Sequence, residues 1–158
     1  MVRMLIAYYS RSGNTKKMAE LIAEGVREQG VKVILKEVKD VAAKDLAEYD
    51  GLIIGSPAYY GSMAGPVKQL LDESACLHGK LDGKVGGAFC SSANIAGGNE
   101  TTILDILNAL LIHGMILQGD PQGDHYGPVA IGAPDDRASK ECRRFGSRIA
   151  ALTVKVHG

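Results

Sequence analysis

The sequence contains no tryptophan, only two phenylalanines and three cysteines, and no excess of either charge. Cys76, Cys90 and Cys142 are far apart and odd in number, so they form neither a disulfide framework nor a zinc-type ligand spacing. We expect free thiols in a reducing compartment. Eighteen basic residues balance eighteen acidic ones, which argues against a basic surface for nucleic acid.

Long apolar runs are also missing. No run approaches the length of a membrane-spanning helix. The apolar stretch near the N-terminus is too short for a secretory signal, and polar residues follow it at once. We therefore expect a cytoplasmic protein with no nucleic-acid partner and no membrane insertion.

The remaining composition is typical of one globular domain, with 46% hydrophobic and 23% charged residues among 158. No repeat or linker divides residues 1–158. Predicted strands cover Arg3–Tyr9, Val31–Val38, Gly51–Ser56, Lys84–Cys90 and Met115–Leu117, the last interrupted by a polar, glycine-rich segment. Helical periodicity follows each of the first, third, fourth and fifth strands. This alternation predicts an α/β fold, a parallel sheet with helices on both faces.

In such sheets ligands bind beyond the carboxyl ends of the strands, so the loops there are the candidate site. The first loop, YYSRSGNT from Tyr8 to Thr15, places four small hydroxyl or amide side chains before a helix. Unpaired backbone N–H groups and the helix dipole favour an anion such as phosphate there. Neither GxxxxGK[ST] nor GxGxxG occurs. A simple helix cap by Asn14 or Thr15 is the alternative interpretation.

Two further loops complete the predicted pocket. SPAYYGSMAGP, from Ser56 to Pro66, carries Tyr59 and Tyr60, which can face a flat ring or can be ordinary surface tyrosines. SSANIAGGNETT, from Ser91 to Thr102, leaves backbone amides accessible to a heterocycle. A phosphate end and a flat aromatic end together fit flavin mononucleotide, FMN.

Four segments carry a family resemblance: YYSRSGNT, DLAEYDGLIIGSPAYYGSMAG, CSSANIAGGNETTILDILNALLIHGM and GDHYGPVAIGAPD. On these the sequence resembles the flavodoxin-like superfamily and, within it, the WrbA-type NAD(P)H:quinone oxidoreductases. The resemblance implies a three-layer sandwich with a five-stranded parallel sheet in the order 2-1-3-4-5.

The resemblance also implies roles for individual residues. The cofactor-binding residues would be Ser10, Arg11, Ser12, Gly13, Asn14, Thr15, Pro57, Ala58, Tyr59, Tyr60, Gly61, Ser91, Ser92, Ala93, Asn94, Ile95, Ala96, Gly97 and His113. His113 and His125 would be catalytic, and His78 and Tyr126 would face the substrate. A helix-end histidine beside a Gly114 cap is the structural alternative for His113. No metal is implied.

The expected activity is electron transfer from NAD(P)H through FMN to a quinone or a similar small acceptor. The rival is a flavodoxin that carries single electrons to a protein partner; the balanced charge weighs against it, because such carriers are usually strongly acidic. WrbA-type proteins usually have a long insertion between strands two and three, and only DVAAKDLAEYD stands there. We therefore expect a homodimer at least as readily as a tetramer.

Overall fold

The computed structural model describes residues 1–158. The strands are β1 (Arg3–Tyr8), β2 (Lys32–Glu37), β3 (Gly51–Tyr59), β4 (Ser62–Met63), β5 (Val85–Ser92), β6 (Ile116–Leu117) and β7 (Val129–Ile131). The α-helices are α1 (Asn14–Glu28), α2 (Gly65–Glu73), α3 (Asn99–Ile112) and α4 (Asp136–His157). An α-helix follows β1, the β3–β4 hairpin, β5 and the β6–β7 pair, whereas two short 3₁₀ turns connect β2 to β3. No helix combines enough length and hydrophobicity to cross a membrane.

The sheet has the order β2-β1-β3-β5-β6, all parallel, which confirms the predicted order of five strands. Two further strands lie off this path. β4 pairs antiparallel with the end of β3, and β7 pairs with the carboxyl end of β5. The fifth position of the sheet is therefore shared by β6 and β7, because the polar segment 118–128 between them leaves the sheet.

Alternating residues of the strands feed two separate cores, as the two-residue repeat of a strand requires. Leu5, Leu52 and Ile54 pack on the face covered by α2 and α3. Met4, Ile6 and Ile53 pack on the face covered by α1 and α4. Both faces being covered explains why β1 and β3 are almost continuously apolar.

The helices α1 and α4 cross at two glycines. A Cβ on Gly146 would lie 2.1 Å from the carbonyl oxygen of Ile22, and a Cβ on Gly25 would lie 2.0 Å from that of Arg143. The obstructing atoms belong to the two backbones and cannot turn aside. Glycine at both positions therefore sets how closely the helices approach.

A methyl group at this crossing must push the helices apart. We expect Gly146→Ala to lower the free energy of unfolding by about 2–3 kcal/mol, because overpacking against a backbone cannot relax locally. Urea unfolding followed by circular dichroism measures the change. Ala151→Ser, which adds one heavy atom at an exposed position of the same helix, should cost about 0.5 kcal/mol or less. Equal effects of the two variants would contradict this account.

Candidate functional site

The loops after β1, β3 and β5 meet at the carboxyl edge of the sheet and enclose a cavity of about 310 Å³. Its lining residues are Arg11, Ser12, Asn14, Thr15, Pro57, Ala58, Tyr59, Ser91, Ser92, Ala93 and Gly132. All except Gly132 are among the predicted cofactor-binding residues. The structure therefore brings the three predicted loops together in one place.

The first loop presents backbone N–H groups at the start of α1. Gly13 takes a left-handed conformation, with φ of 96°, just before the helix. The Oγ of Ser10 accepts hydrogen bonds from the N–H groups of Gly13 (3.1 Å) and Lys16 (3.2 Å). The N–H groups of Asn14 and Thr15 donate to no other group of the chain. The beginning of α1 thus keeps free donors and the positive end of its dipole.

Thr15 does not cap α1 with its side chain, as the alternative interpretation of this loop would require. Its Oγ1 is buried and lies 2.8 Å from the Oγ of Ser91, so the two hydroxyls join the first loop to the end of β5. The residue before α1, Gly13, has no side chain to cap with, and the side-chain acceptor at this helix start is Ser10. Arg11 is exposed and forms no ion pair, so its guanidinium adds positive charge beside the cavity.

The second loop is a hairpin. β3 extends beyond the predicted end at Ser56 as far as Tyr59 because β4 pairs with its last residues. Tyr60 and Gly61 have φ of 51° and 80°, so both central residues of the turn are left-handed, as in a type I′ turn. Tyr59 contacts Tyr9 edge to face, with ring centroids 6.2 Å apart. Tyr60 is fully exposed.

The third loop contacts the hairpin directly. Thr101 Oγ1 donates to the carbonyl of Gly61 at 2.6 Å, and a Cβ on Gly98 would lie 2.7 Å from the Cα of Gly61. Within the loop, the Oγ of Ser92 accepts from Asn99 and donates to the carbonyl of Asn94. The Asn94 carbonyl also accepts from the N–H of Gly97. The second and third loops therefore form one connected wall.

A second, larger cleft of about 770 Å³ lies on the other side of the third loop. Ile95 and Ala96 line it, together with His125 and Tyr126 from the segment between β6 and β7. The structure thus places one predicted catalytic residue and one predicted substrate residue beside the third loop. Neither lines the smaller cavity.

Arginines of α4 hold the segment that carries His125. Asp120 accepts two hydrogen bonds from Arg144, at 2.8 and 3.1 Å, and lies 3.4 Å from Arg148. The Arg144 hydrogen bond is the main reason that the pKa of Asp120 lies well below its ordinary value. Arg137 pairs with Asp124 at 2.8 Å. These residues were not predicted from the sequence, although the three arginines are seven and four residues apart, a spacing that places them on one helix face.

The structure does not bring His113 or His78 into either cavity. His113 follows the carboxyl end of α3, whose fourteen residues span about 20 Å from the third loop. Its Nε2 lies 2.8 Å from the Oγ of Ser74, which donates its own proton to the carbonyl of Leu71. Burial, and then the neighbouring His78, lower the pKa of His113. Within one chain both histidines lie at the opposite edge of the sheet, so one chain alone does not form the predicted flavin contact of His113 or substrate contact of His78, and both stay predictions.

The Asp120 cluster should stabilise the chain in a pH-dependent way. The pKa of Asp120 is lower in the folded protein than its ordinary value of 3.8. The stabilisation is therefore complete above pH 3.8 and is lost as the pH falls from there through the pKa of the folded state. We expect Asp120→Asn to cost about 1 kcal/mol at pH 7, and the difference from the unaltered protein to shrink below pH 4.

Urea unfolding between pH 7 and pH 3 checks this expectation. The matched control is Asp72→Asn, which removes an exposed pair with Lys68 and should change stability by a few tenths of a kcal/mol. A loss for Asp120→Asn that stays constant across the pH range would show that the carboxylate charge is not responsible.

Known proteins of similar sequence and structure share this fold. The family model described as Flavodoxin domain matches residues 5–106. A protein named flavodoxin from Aquifex aeolicus is 42% identical over 159 positions, covering 95% of this chain and 86% of that protein. A protein named NAD(P)H dehydrogenase (quinone) from Archaeoglobus fulgidus is 31% identical over 190 positions, covering 99% and 100%. The solved structure of a flavodoxin from the domain Archaea has a TM-score of 0.82 at 29% identity, covering 97% and 99%. This chain belongs to the flavodoxin family.

Proposed function

We propose that this protein binds FMN at the smaller cavity and uses it to pass electrons from NAD(P)H to a quinone or a similar small acceptor. The observation that carries the proposal is the chemistry of the loops around that cavity. The first loop offers free donors and positive charge, whereas residues 56–66 of the second loop and 91–99 of the third carry no charged side chain.

The first loop fits a phosphate group. The free N–H groups at the start of α1 can donate hydrogen bonds to an anion, and the positive end of the helix dipole attracts it. Ser12 supplies a hydroxyl, Asn14 an amide and Arg11 a guanidinium, and all three line the cavity. We assign Ser10 to Thr15 to the phosphate, with Ser10 keeping the loop in shape through its two backbone hydrogen bonds.

The second and third loops fit a flat ring. Pro57, Ala58 and Tyr59 line one side of the cavity, and Ser91 to Ala93 line the other. The contact between Thr101 and Gly61 fixes the distance between the two loops before any ligand binds. FMN, when bound, supplies the redox chemistry. The protein would hold the ring and leave part of it open to a second molecule.

An uncharged acceptor fits the rim of this site. Residues 56–66 and 91–99 contain no acidic and no basic side chain. The most exposed large hydrophobic side chains there are Tyr60 and Ile95. A neutral quinone can approach such a surface without losing charge solvation, whereas a charged partner protein gains no electrostatic steering from it. The name of the Archaeoglobus fulgidus relative supports the same acceptor class.

A single-electron carrier is the second candidate. The relative with 42% identity is named flavodoxin. Gly61 has no side chain that restricts its backbone, so the turn can change conformation once its carbonyl leaves the hydrogen bond from Thr101. A backbone that can turn beside the ring would allow the protein to favour a half-reduced state.

The phosphate assignment predicts a selective loss of affinity. We expect Ser12→Asp to weaken FMN binding at least tenfold, because a carboxylate in the first loop repels the phosphate. Riboflavin, which has the same ring and no phosphate, should bind the variant and the unaltered protein equally. Quenching of flavin fluorescence measures both affinities. Parallel losses for the two flavins would mean that the variant has damaged the ring site or the fold instead.

Turnover separates the two candidate functions. We expect the FMN-loaded protein to oxidise NADH or NADPH continuously when a benzoquinone is present. We also expect anaerobic photoreduction to pass from the oxidised to the fully reduced spectrum without a half-reduced stage. Absence of turnover with both nucleotides, together with abundant half-reduced protein, would favour the carrier.

A further inference from the structure

The larger cleft beside the third loop has its own ligand chemistry. We propose that it is a second binding site, which takes a planar aromatic molecule bearing an O–H or N–H donor, and that Nε2 of His125 accepts that hydrogen bond. The proposal goes beyond the FMN site and does not depend on FMN being bound.

The size and lining of the cleft suit a small aromatic molecule. Its volume of about 770 Å³ lies within the range of about 300–1,000 Å³ that is usual for small-molecule sites. Ile103, which is fully buried, and Val129 and Ile131 provide an apolar surface. Tyr126 is half-exposed at the same cleft and offers an aromatic face.

The hydrogen bond of His125 determines the tautomer of its neutral ring, and with it whether Nε2 donates or accepts. Nδ1 of His125 lies 2.7 Å from the backbone carbonyl of Asp120. A carbonyl oxygen only accepts, so Nδ1 carries the proton of the neutral ring. Nε2 is then the unprotonated nitrogen and has no partner within the chain. Neutral His125, an exposed residue that lines the cleft, therefore has a free acceptor.

The other charged groups of the cleft favour the same kind of ligand. Arg137 directs one terminal nitrogen to Asp124 and the other to the carbonyl of Val129, so its charge is paired with a carboxylate and two of its five N–H donors are engaged. The carboxylate of Glu100 also lines the cleft and forms no ion pair. Both free groups, Nε2 and this carboxylate, accept hydrogen bonds, and a ligand that donates one is the complement.

The wall that carries His125 is held in place before a ligand arrives. Arg144 and Arg148 hold Asp120, whose carbonyl accepts from His125. Gly127 lies so close to β5 that a Cβ there would be 2.0 Å from the carbonyl oxygen of Ala88. A site ordered in advance costs little conformational entropy on binding.

A matched pair of ligands tests the proposal. 1-Naphthol has a hydroxyl donor, whereas 1-methoxynaphthalene has the same rings and no donor. We expect 1-naphthol to bind about fivefold more tightly, as one net hydrogen bond provides. This preference should disappear in His125→Phe and persist in His157→Phe, a distant exposed control. Calorimetry, on the FMN-loaded and on the FMN-free protein, measures the dissociation constants of both ligands for the unaltered protein and the two variants.

Nitrogen-15 NMR of histidine-labelled protein supplies a readout that needs no variant. The chain has four histidines, and we expect His125 to show the Nδ1–H form and to respond to 1-naphthol. A parallel titration with nicotinamide distinguishes the source of the donor. If nicotinamide shifts the nitrogen-15 signals of His125, the site takes a carboxamide. If only 1-naphthol shifts them, the site takes an aromatic hydroxyl such as that of a hydroquinone.

Three results would overturn the proposal: equal affinity for the two naphthalenes, a preference that survives in His125→Phe, or an Nε2–H form at His125. These failures are separate from failure of the FMN proposal. Protein that binds FMN but not 1-naphthol refutes only the second site, and protein that binds 1-naphthol but not FMN refutes only the first.

Discussion

Parallel pairing of β1, β3 and β5 is the constraint on which the rest of the structure depends. Because the three strands run side by side in one direction, their carboxyl ends stop at the same edge of the sheet. Each then releases a polar, glycine-containing loop at that edge. Two apolar cores keep the strands in register from opposite faces, so the loops are presented by a rigid support.

The three loops differ in how completely their polar groups are used internally. In the third loop, Ser92 and Asn99 bond to each other, and the turn at Gly61 is tied to Thr101. At the start of α1, by contrast, the donors of Asn14 and Thr15 find no acceptor in the chain. Polar groups that are hydrogen-bonded within the chain fix the shape of the loops, and free N–H donors remain available to bind a ligand. The free donors at the start of α1 therefore mark the end of the site that suits an anion.

Local sequence patterns were sufficient for the parallel α/β fold and for the three loops, because strand periodicity and the loop residues are encoded within short windows. The order of the strands followed from the family resemblance instead. They were not sufficient where distant segments decide the outcome. The hairpin partner β4 lengthened β3, and α4 supplied the arginines that hold Asp120. The flavin contact expected of His113 is not formed within one chain, because the same helix that begins at the third loop carries His113 to the far edge of the sheet.

The division of the fifth strand into β6 and β7 makes one part of this fold exchangeable. β6 pairs with the beginning of β5 and β7 with its end, so the segment between them is a loop whose two ends are fixed on the sheet. Lengthening such a loop costs little free energy once its ends are fixed. Natural variants could therefore rebuild the wall beside the third loop, and with it the choice of ligand, while the flavodoxin framework stays intact.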